Sequence, residues 1–372
     1  MANAEAINLL DADDTFLDIA HFGGLIVAVA LAEAQRTGAD WTTFRRAVVR
    51  GFDANARLAI ATSARSGMIA PGLMMLGATV AAVGAAGGGD RAASAALSLA
   101  MRTAPTATTR AVSLAKPGTL KYAPYGALAQ GAIQAARLAE AGYVSAADPV
   151  AFFAAQQVEL TARRLAPAAH WWIERTALKP WPSFRLGHPV LDALGAAIGQ
   201  NDILPGDIDR ILLWLDPRAL DLPFHDWPDP LDFDPMLLPL AAAMNLRLSA
   251  ALVAAGVPPG PAWVQRRTLR RAEVRSLMRR VEIAAEPAVD AAWLEQRRDT
   301  ETGLVPRGFG RAQVEAGGRQ FVVAREGADG DRANWDWLRR KAVRFLGSPD
   351  IVDRLASLEA NAPAPALTLQ RQ

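Results

Sequence analysis

The sequence predicts a mainly helical protein with an additional α+β part, arranged as a large all-helical domain and a smaller α+β lid domain. Three observations predict this class. Up to about Arg175 the chain is rich in alanine, and its apolar residues recur with helical period and almost no strand pattern. Short β-rich runs follow, and the helical pattern returns after Asn334. A series of helices without alternating strands is typical of a bundle-like helical domain.

The first part contains six segments with helical periodicity. Glycine, proline or aspartate separates them, as in "AAGGGD" and "AKPGTLKYAPYG". The predicted helices are 21–36, 41–62, 72–86, 90–102, 126–142 and 149–164.

The middle part carries the strand signals. "GDIDRILLWLD" is a turn followed by a buried strand, and "RRVEIAAEP" has a similar short pattern. "GRAQVEAGGRQFVVARE" predicts a hairpin, because two β-rich runs are joined by a Gly-Gly turn. The proline-rich stretch "DPRALDLPFHDWPDPLDFDP" predicts a loop.

The last part returns to helix in "WDWLRRKAVRFLG" and "DIVDRLASLEA", before a tail predicted to be disordered. We expect this segment to pack on the first domain. The predicted division is therefore a helical domain of residues 1–176 and 334–372, and a lid domain of residues 177–333.

Composition excludes several function classes. The chain has 372 residues and no cysteine, so it has neither disulfides nor thiolate metal sites. Its four histidines form no HExxH motif, so we expect no metal centre. The N-terminus lacks a signal-peptide pattern, which predicts a cytoplasmic location.

Two segments could suggest other partners. The uncharged stretch 66–89 consists largely of Ala, Gly and Met with Pro71 inside, which favours a buried helix over a membrane span. The arginine-rich stretch 266–280 carries apolar residues at three- and four-residue steps, which favours a core-facing helix with a solvated basic face. We therefore expect neither membrane nor nucleic-acid binding.

The stretch "LDADDTFLDIAH" places Asp11, Asp13, Asp14, Asp18 and His21 just before an apolar helix. Aspartates favour helix N-termini, where their carboxylates accept free backbone N–H groups. Capping accounts for some of these residues, but it leaves His21 unexplained.

Several stretches together resemble the MmgE/PrpD superfamily, which includes 2-methylcitrate dehydratase and cis-aconitate decarboxylase. These are "LDADDTFLDIAH", "RGFDANARL", "GTLKYAPYGALAQGAIQAARLAEAGY", the lid signature "KPWPSFRLGHPVLDAL", the final hairpin and "NWDWLRRK". The resemblance implies a helical domain with an α+β lid, an active site between them, and a homodimer. It also implies lyase or isomerase chemistry on small carboxylates without an organic cofactor.

The resemblance places Asp11, His21, Lys121 and Lys179 on the family's catalytic positions. A histidine can remove a proton next to a carboxylate, lysines can stabilise the charge that develops, and an aspartate can orient the histidine. We expect the Lys179 ammonium to face the helical domain within about one substrate's width of His21.

Other positions are candidates for substrate binding. Arg185 and His188 belong to the lid signature, although either can be structural. Tyr122 and Tyr125 flank the lysine loop, where each can donate a hydrogen bond or simply pack.

The sequence departs from the family pattern at three places. Only nine residues precede Leu10, which implies a shortened helical domain. Met68 or Ile69 stands where the family has a catalytic histidine, and Phe184 stands where decarboxylase-like members have another. These changes predict a drier and less cationic pocket, with Met68, Ile69 and Phe184 toward the substrate.

The sequence therefore predicts a diverged lyase that acts on a small carboxylic acid by dehydration or decarboxylation, in a specialised biosynthetic or degradative pathway. Two alternatives remain open: an isomerase or epimerase of the same family, and a non-catalytic member.

Overall fold

The computed structural model describes residues 1–17, 20–62, 66–106, 123–156, 158, 160–161, 169–222, 227–305 and 308–364, without the side chains of residues 66–70 and 332. Its α-helices are α1 (Ala2–Leu9), α2 (Gly23–Thr37), α3 (Trp41–Ala61), α4 (Ser66–Ala85), α5 (Asp90–Ala100), α6 (Tyr125–Glu140), α7 (Pro149–Ala154), α8 (His188–Gly199), α9 (Leu238–Ala243), α10 (Leu246–Ala254), α11 (Arg266–Leu269), α12 (Ala272–Arg279), α13 (Ala291–Gln296), α14 (Trp335–Leu346) and α15 (Asp350–Ala356). Its strands are β1 (Asp14–Phe16), β2 (Thr176–Leu178), β3 (Ile208–Leu215), β4 (Val281–Ala285), β5 (Phe309–Ala316) and β6 (Arg319–Glu326).

Helix α4 lies at the centre of the first hydrophobic cluster, where α2, α3, α5 and α6 pack against it. Its sequence is apolar on all sides, as expected of a helix surrounded by others. The approach to α3 is close: a Cβ built on Gly77 would lie 2.2 Å from the Asn55 side chain and 2.4 Å from the Gly51 carbonyl oxygen. Asn55 fills this contact by accepting a hydrogen bond from the Gly77 N–H at 2.7 Å.

The second hydrophobic cluster surrounds a four-stranded sheet with the order β4-β3-β5-β6. Strands β3 and β4 are parallel, while β5 pairs antiparallel with β3 and β6. Helix α8 packs on β5 so closely that a Cβ built on Gly310 would lie 2.2 Å from the Val190 nitrogen. The predicted hairpin forms over β5 and β6, with Gly317 and Gly318 both at positive φ in its turn.

A two-stranded antiparallel ribbon connects the two parts of the chain. Strand β1 pairs with β2, with Asp14 opposite Leu178 and Phe16 opposite Thr176. The Lys179 N–H extends the pairing by donating to the Asp13 carbonyl at 3.0 Å. The ribbon therefore places the aspartate-rich segment directly beside the start of the lid signature.

The C-terminal segment returns to the first part of the chain. The Trp41 and Thr42 N–H groups donate to the carbonyls of Ala362 and Ala360 at 2.7 and 3.0 Å, and the Ala364 N–H donates to Ala39 at 3.2 Å. These are contacts of the kind that the predicted domain division requires, and the division itself stays a prediction.

Two predicted helices differ from the structure. The helix predicted over 149–164 ends at Ala154, because the Val158 N–H closes the turn onto Phe153 and the Thr161 N–H pairs instead with the Ala61 carbonyl. The helix predicted over 266–280 is divided into α11 and α12 by an extended Arg271, although Leu269 and Leu277 are buried as expected.

The stretch 66–89 forms the single packed helix α4, and the predicted strands and the proline-rich loop agree with β3, β4 and short 3₁₀ turns. Within the described ranges, no helix is long and apolar enough to cross a membrane. The predicted tail beyond Ala364 lies outside the described residues.

Candidate active site

The candidate site forms where the segment from Asp11 to Thr15 meets the residue that follows β2. Lys179 forms an ion pair with Asp11 and lies 3.2 Å from a carboxylate oxygen of Asp13. The Lys179 and Asp11 side chains have no exposed surface. Asp11 has a φ of 51°, which places its backbone in the left-handed region, where aspartate is one of the few tolerated residues. The turn at Asp11 thus aims two carboxylates at one buried ammonium.

Asp14 is the aspartate that caps a helix. Its carboxylate accepts hydrogen bonds from the Phe22 N–H at 3.2 Å and the Gly23 N–H at 2.9 Å, at the start of α2. A Cβ at position 23 would lie 2.7 Å from the Asp14 Oδ1, so the glycine makes this approach possible. The capping interpretation of "LDADDTFLDIAH" therefore holds for Asp14, whereas Asp11 and Asp13 face Lys179.

His21 is held by the backbone of the same segment. Its Nδ1 lies 2.6 Å from the Asp14 carbonyl oxygen, which can only accept, so Nδ1 carries the proton in this contact. In the neutral ring, Nε2 then holds the lone pair and is the basic nitrogen. A backbone carbonyl, and not the Asp11 carboxylate, makes this orienting contact.

Burial and neighbouring charges shift the protonation equilibria of the site. Burial, with the nearby Asp13 charge, raises the pKa of Asp14 to about 6. Burial alone would lower the pKa of Lys179, but the Asp11 and Asp13 carboxylates outweigh it and the pKa of Lys179 is raised above 10.5. Lys179 is therefore charged at neutral pH.

A second lysine reaches the same segment from α14. The Lys341 ammonium donates to the Ala12 carbonyl and lies over the rings of Trp337 and Phe345, 5.5 and 5.3 Å from their centroids. Burial lowers the pKa of Lys341 to about 8; Asp13 partly offsets this effect, and Lys179 reinforces it. The segment 11–13 is thus held by two lysines from distant parts of the sequence.

Two further buried hydroxyl groups lie in this region. The Tyr125 hydroxyl is buried and its pKa is raised well above 10, first by burial and then by the charges of Asp13 and Asp14, so it is a permanent donor. Within the described part of the chain, the Tyr125 hydroxyl and the Thr15 Oγ1 have no hydrogen-bond partner. Such unpaired buried groups are costly and are frequently found where a ligand binds.

His188 is buried behind the lid signature. Its Nε2 lies 2.9 Å from the Ser183 carbonyl oxygen, which makes Nε2 the protonated nitrogen, and its Nδ1 is buried without a partner among the described residues. Burial, with the charges of Arg185 and Lys179, keeps the pKa of His188 well below 6.5. His188 is therefore neutral, as a structural histidine of the lid would be.

The remaining predicted residues occupy different settings. Arg185 forms an ion pair with Asp331, and Phe184 is buried in the second hydrophobic cluster. Met68 and Ile69 lie in α4, but their side chains are outside the described part, and so are Lys121 and Tyr122. The structure thus brings together Asp11, His21, Lys179 and Tyr125 around one segment, while the substrate contacts predicted for the others stay predictions.

Asp13, Thr15 and Lys341 are residues of the site that sequence reasoning missed. Lys341 lies in the basic run "WLRRK", where nothing separates it from its exposed neighbours except its spacing of four residues from both Trp337 and Phe345. That spacing places the lysine on the apolar face of a helix, which is the signal that could have identified it.

The arrangement combines a histidine with a defined basic nitrogen, a neutral phenol donor and two lysines. These groups can accept a proton, donate a hydrogen bond and stabilise negative charge. Among the residues described, no three histidine or carboxylate side chains are grouped so that they could hold a metal ion.

Comparison with known proteins agrees with this geometry. Residues 1–155 match the family model of the MmgE/PrpD N-terminal domain, a range that includes Asp11, His21 and Tyr125. No curated protein matches the chain significantly. The family generally contains dehydratase-type lyases. Through this N-terminal domain, the chain belongs to the MmgE/PrpD superfamily.

Proposed function

We propose that the protein is a lyase that removes a proton next to a carboxylate or carbonyl of a small carboxylic acid, leading to dehydration or decarboxylation. His21 is the base, and its Nε2 takes the proton. The developing negative charge lies on the oxygens of the substrate, where Lys179, Lys121 and the Tyr125 hydroxyl stabilise it.

The observation that carries this proposal is the contact between the His21 Nδ1 and the Asp14 carbonyl. A base needs one nitrogen with an available lone pair, and a fixed donor contact at the other nitrogen ensures it. The ion pairs of Lys179 place a cation in the same segment, so a substrate carboxylate that displaces Asp13 from Lys179 would gain a charged partner.

Apolar residues at positions 68, 69 and 184 support a substrate with few carboxylates or with a sizeable apolar part. A hydrophobic wall favours the transfer of apolar surface and penalises an unpaired charge. An isomerase or epimerase would begin with the same proton abstraction and is an alternative within this proposal.

One observation favours the second candidate, a non-catalytic member of the family. Lys179 has no exposed surface and two carboxylates already neutralise it. A lysine in that state serves to hold the lid against the helical part, unless a substrate reorganises the ion pairs.

Hydrogen–deuterium exchange tests the proposal for any product that forms. The protein is incubated in D₂O with a panel of small carboxylic acids, and proton NMR follows both the loss of C–H signals next to the carboxylate and the appearance of product. We expect wild-type protein to act on at least one acid, and His21→Gln to lower that rate by about 10²- to 10⁴-fold, the usual contribution of a general base.

His170→Gln is the matched control, because His170 packs against Trp172 and lies 3.8 Å from Glu301 in a different part of the molecule. Its rate should equal that of the wild type. A His21→Gln rate equal to that of wild type would refute the role of His21. Absence of any reaction across the panel, with Lys179→Met affecting stability alone, would favour the non-catalytic candidate.

A further inference from the structure

A second cleft lies on the α+β part of the molecule, with a volume of about 820 Å³. This volume is in the range of small-molecule sites. Its walls are Trp181, the loop after α10 that contains Pro258 and Pro259, the end of β6, and Arg344 at the end of α14. We call it the outer cleft, and its lining includes none of the residues that build the candidate active site.

One wall of the outer cleft is aromatic and apolar. The Trp181 ring stacks on Trp263, with ring centroids 5.7 Å apart and an angle of 26° between the planes. Its Nε1 donates to the Asp192 carboxylate at 2.7 Å, which fixes the orientation of the indole. Pro258 and Pro259 line the cleft with it and provide rigid apolar surface.

Hydrogen bonds hold the walls in place before any ligand binds. The Asp192 carboxylate that fixes Trp181 also accepts from the Asp329 N–H at 2.8 Å. The Asp329 carboxylate in turn accepts from the Trp337 Nε1 at 2.7 Å. Because these bonds connect α8, α14 and the segment after β6, the cleft is preformed, which lowers the entropic cost of binding.

The charges that are available in the outer cleft are positive. Arg325 and Arg344 are exposed, and within the described ranges neither forms an ion pair with a carboxylate. The acidic residues of the lining are already engaged, Asp192 and Asp329 by the bonds above and Glu326 by Arg297 at 2.6 Å. An anion that enters the cleft would therefore meet two arginines whose charges are not neutralised.

We propose that the outer cleft binds a planar organic anion, whose ring lies on Trp181 and whose carboxylate or similar group contacts Arg325 and Arg344. Guanidinium groups pair with carboxylates through two parallel hydrogen bonds, and an indole provides a flat apolar surface. This inference does not rest on the proposed lyase activity, because the two sites share no residue.

The test uses 2-naphthoate as the probe and 2-naphthalenemethanol as its neutral counterpart. The full chain is labelled with 5-fluorotryptophan, and the ¹⁹F signal of Trp181 is identified by its absence in Trp181→Phe. We expect 2-naphthoate to shift that signal with a Kd of about 1 mM, a value typical of small fragments. Titration calorimetry should show at least a tenfold higher Kd for Arg344→Gln and for Arg325→Gln.

Arg319→Gln is the matched control. Arg319 lies on the same strand as Arg325, but over the Phe321 ring and outside the cleft, so the variant loses the same charge without losing the contact. Its Kd should equal that of wild type, and the neutral counterpart should bind at least tenfold more weakly than 2-naphthoate. The proposal is overturned if the Trp181 signal does not shift, if 2-naphthoate binds without moving it, or if all three arginine variants behave alike.

Discussion

Lys179 is the residue on which most of the buried charge of the candidate site depends. Its ammonium is fully buried between Asp11 and Asp13, and its charge compensates theirs. Removing one member of a buried ion pair leaves an uncompensated charge and is far more costly than removing an exposed pair.

We therefore expect Lys179→Met to lower the free energy of unfolding by about 3–5 kcal/mol, measured by urea denaturation at pH 7. Arg340→Met, on the exposed side of α14, should change it by less than about 0.5 kcal/mol. The triple variant Asp11→Asn/Asp13→Asn/Lys179→Met should recover part of the loss. If Lys179→Met alone is as stable as wild type, the ion pairs do not compensate one another as described.

Asp14 provides a prediction about pH. Since the pKa of Asp14 rises from 3.8 to about 6 on folding, the folded state binds more protons than the unfolded state between these values. Its contribution to stability is therefore complete below pH 4 and decreases as the pH rises through 6. We expect Asp14→Asn to remove about 2–3 kcal/mol of this pH dependence, measured as the difference between the stabilities at pH 4 and pH 7.

The comparison of slopes isolates the carboxyl group from the cap, because loss of a capping bond shifts the whole stability curve. Asp192→Asn serves as a comparison, since burial also raises the pKa of Asp192 to about 6 in another part of the molecule. An Asp14→Asn variant with the same pH dependence as wild type would contradict the shifted pKa of Asp14.

Single residues show where sequence reasoning reaches its limit. Helix capping is the common expectation for these aspartates, and only their partners distinguish Asp14 from Asp11. The partner of Asp11 is 168 positions away, so no local pattern could assign it. The family resemblance identifies His21 and Lys179, whereas a basic run conceals Lys341.

At the level of elements, helical periodicity and the Gly-Gly hairpin predict most of the regular structure. Both signals are local, and both are strong in long elements. Strands β1 and β2 have three residues each, too few for an alternating pattern, and they form because each supplies the hydrogen-bonding partner of the other. The ribbon that positions the site is therefore absent from the prediction.

The crossing of α3 and α4 depends on Gly77. A methyl group at this position would overlap both Asn55 and the Gly51 carbonyl, and the helix backbones would have to separate. We expect Gly77→Ala to lower the free energy of unfolding by at least about 2 kcal/mol, measured by thermal and urea denaturation. Gly199→Ala, where nothing lies within 4 Å of the added group, should cost less than about 0.5 kcal/mol or stabilise slightly. Equal effects of the two substitutions would show that the helix crossing tolerates the added methyl group.

For the whole molecule, the family resemblance predicts a homodimer. Stable interfaces of this kind bury more than about 1,000 Å². Sedimentation velocity at micromolar concentration should give a single species with twice the 39.6 kDa mass of one chain. A monodisperse monomer under these conditions would refute the prediction.

The buried ion pairs of the segment 11–13 also determine the order in which the molecule can be completed during synthesis. Asp11 and Asp13 emerge from the ribosome long before Lys179, and Lys341 emerges later still. The helical core around α4 can collapse early, but the two carboxylates must stay in water until their lysine arrives. The candidate active site is accordingly one of the last parts of the nascent chain to become native, and a chain released before Lys341 lacks one of the two lysines that hold it.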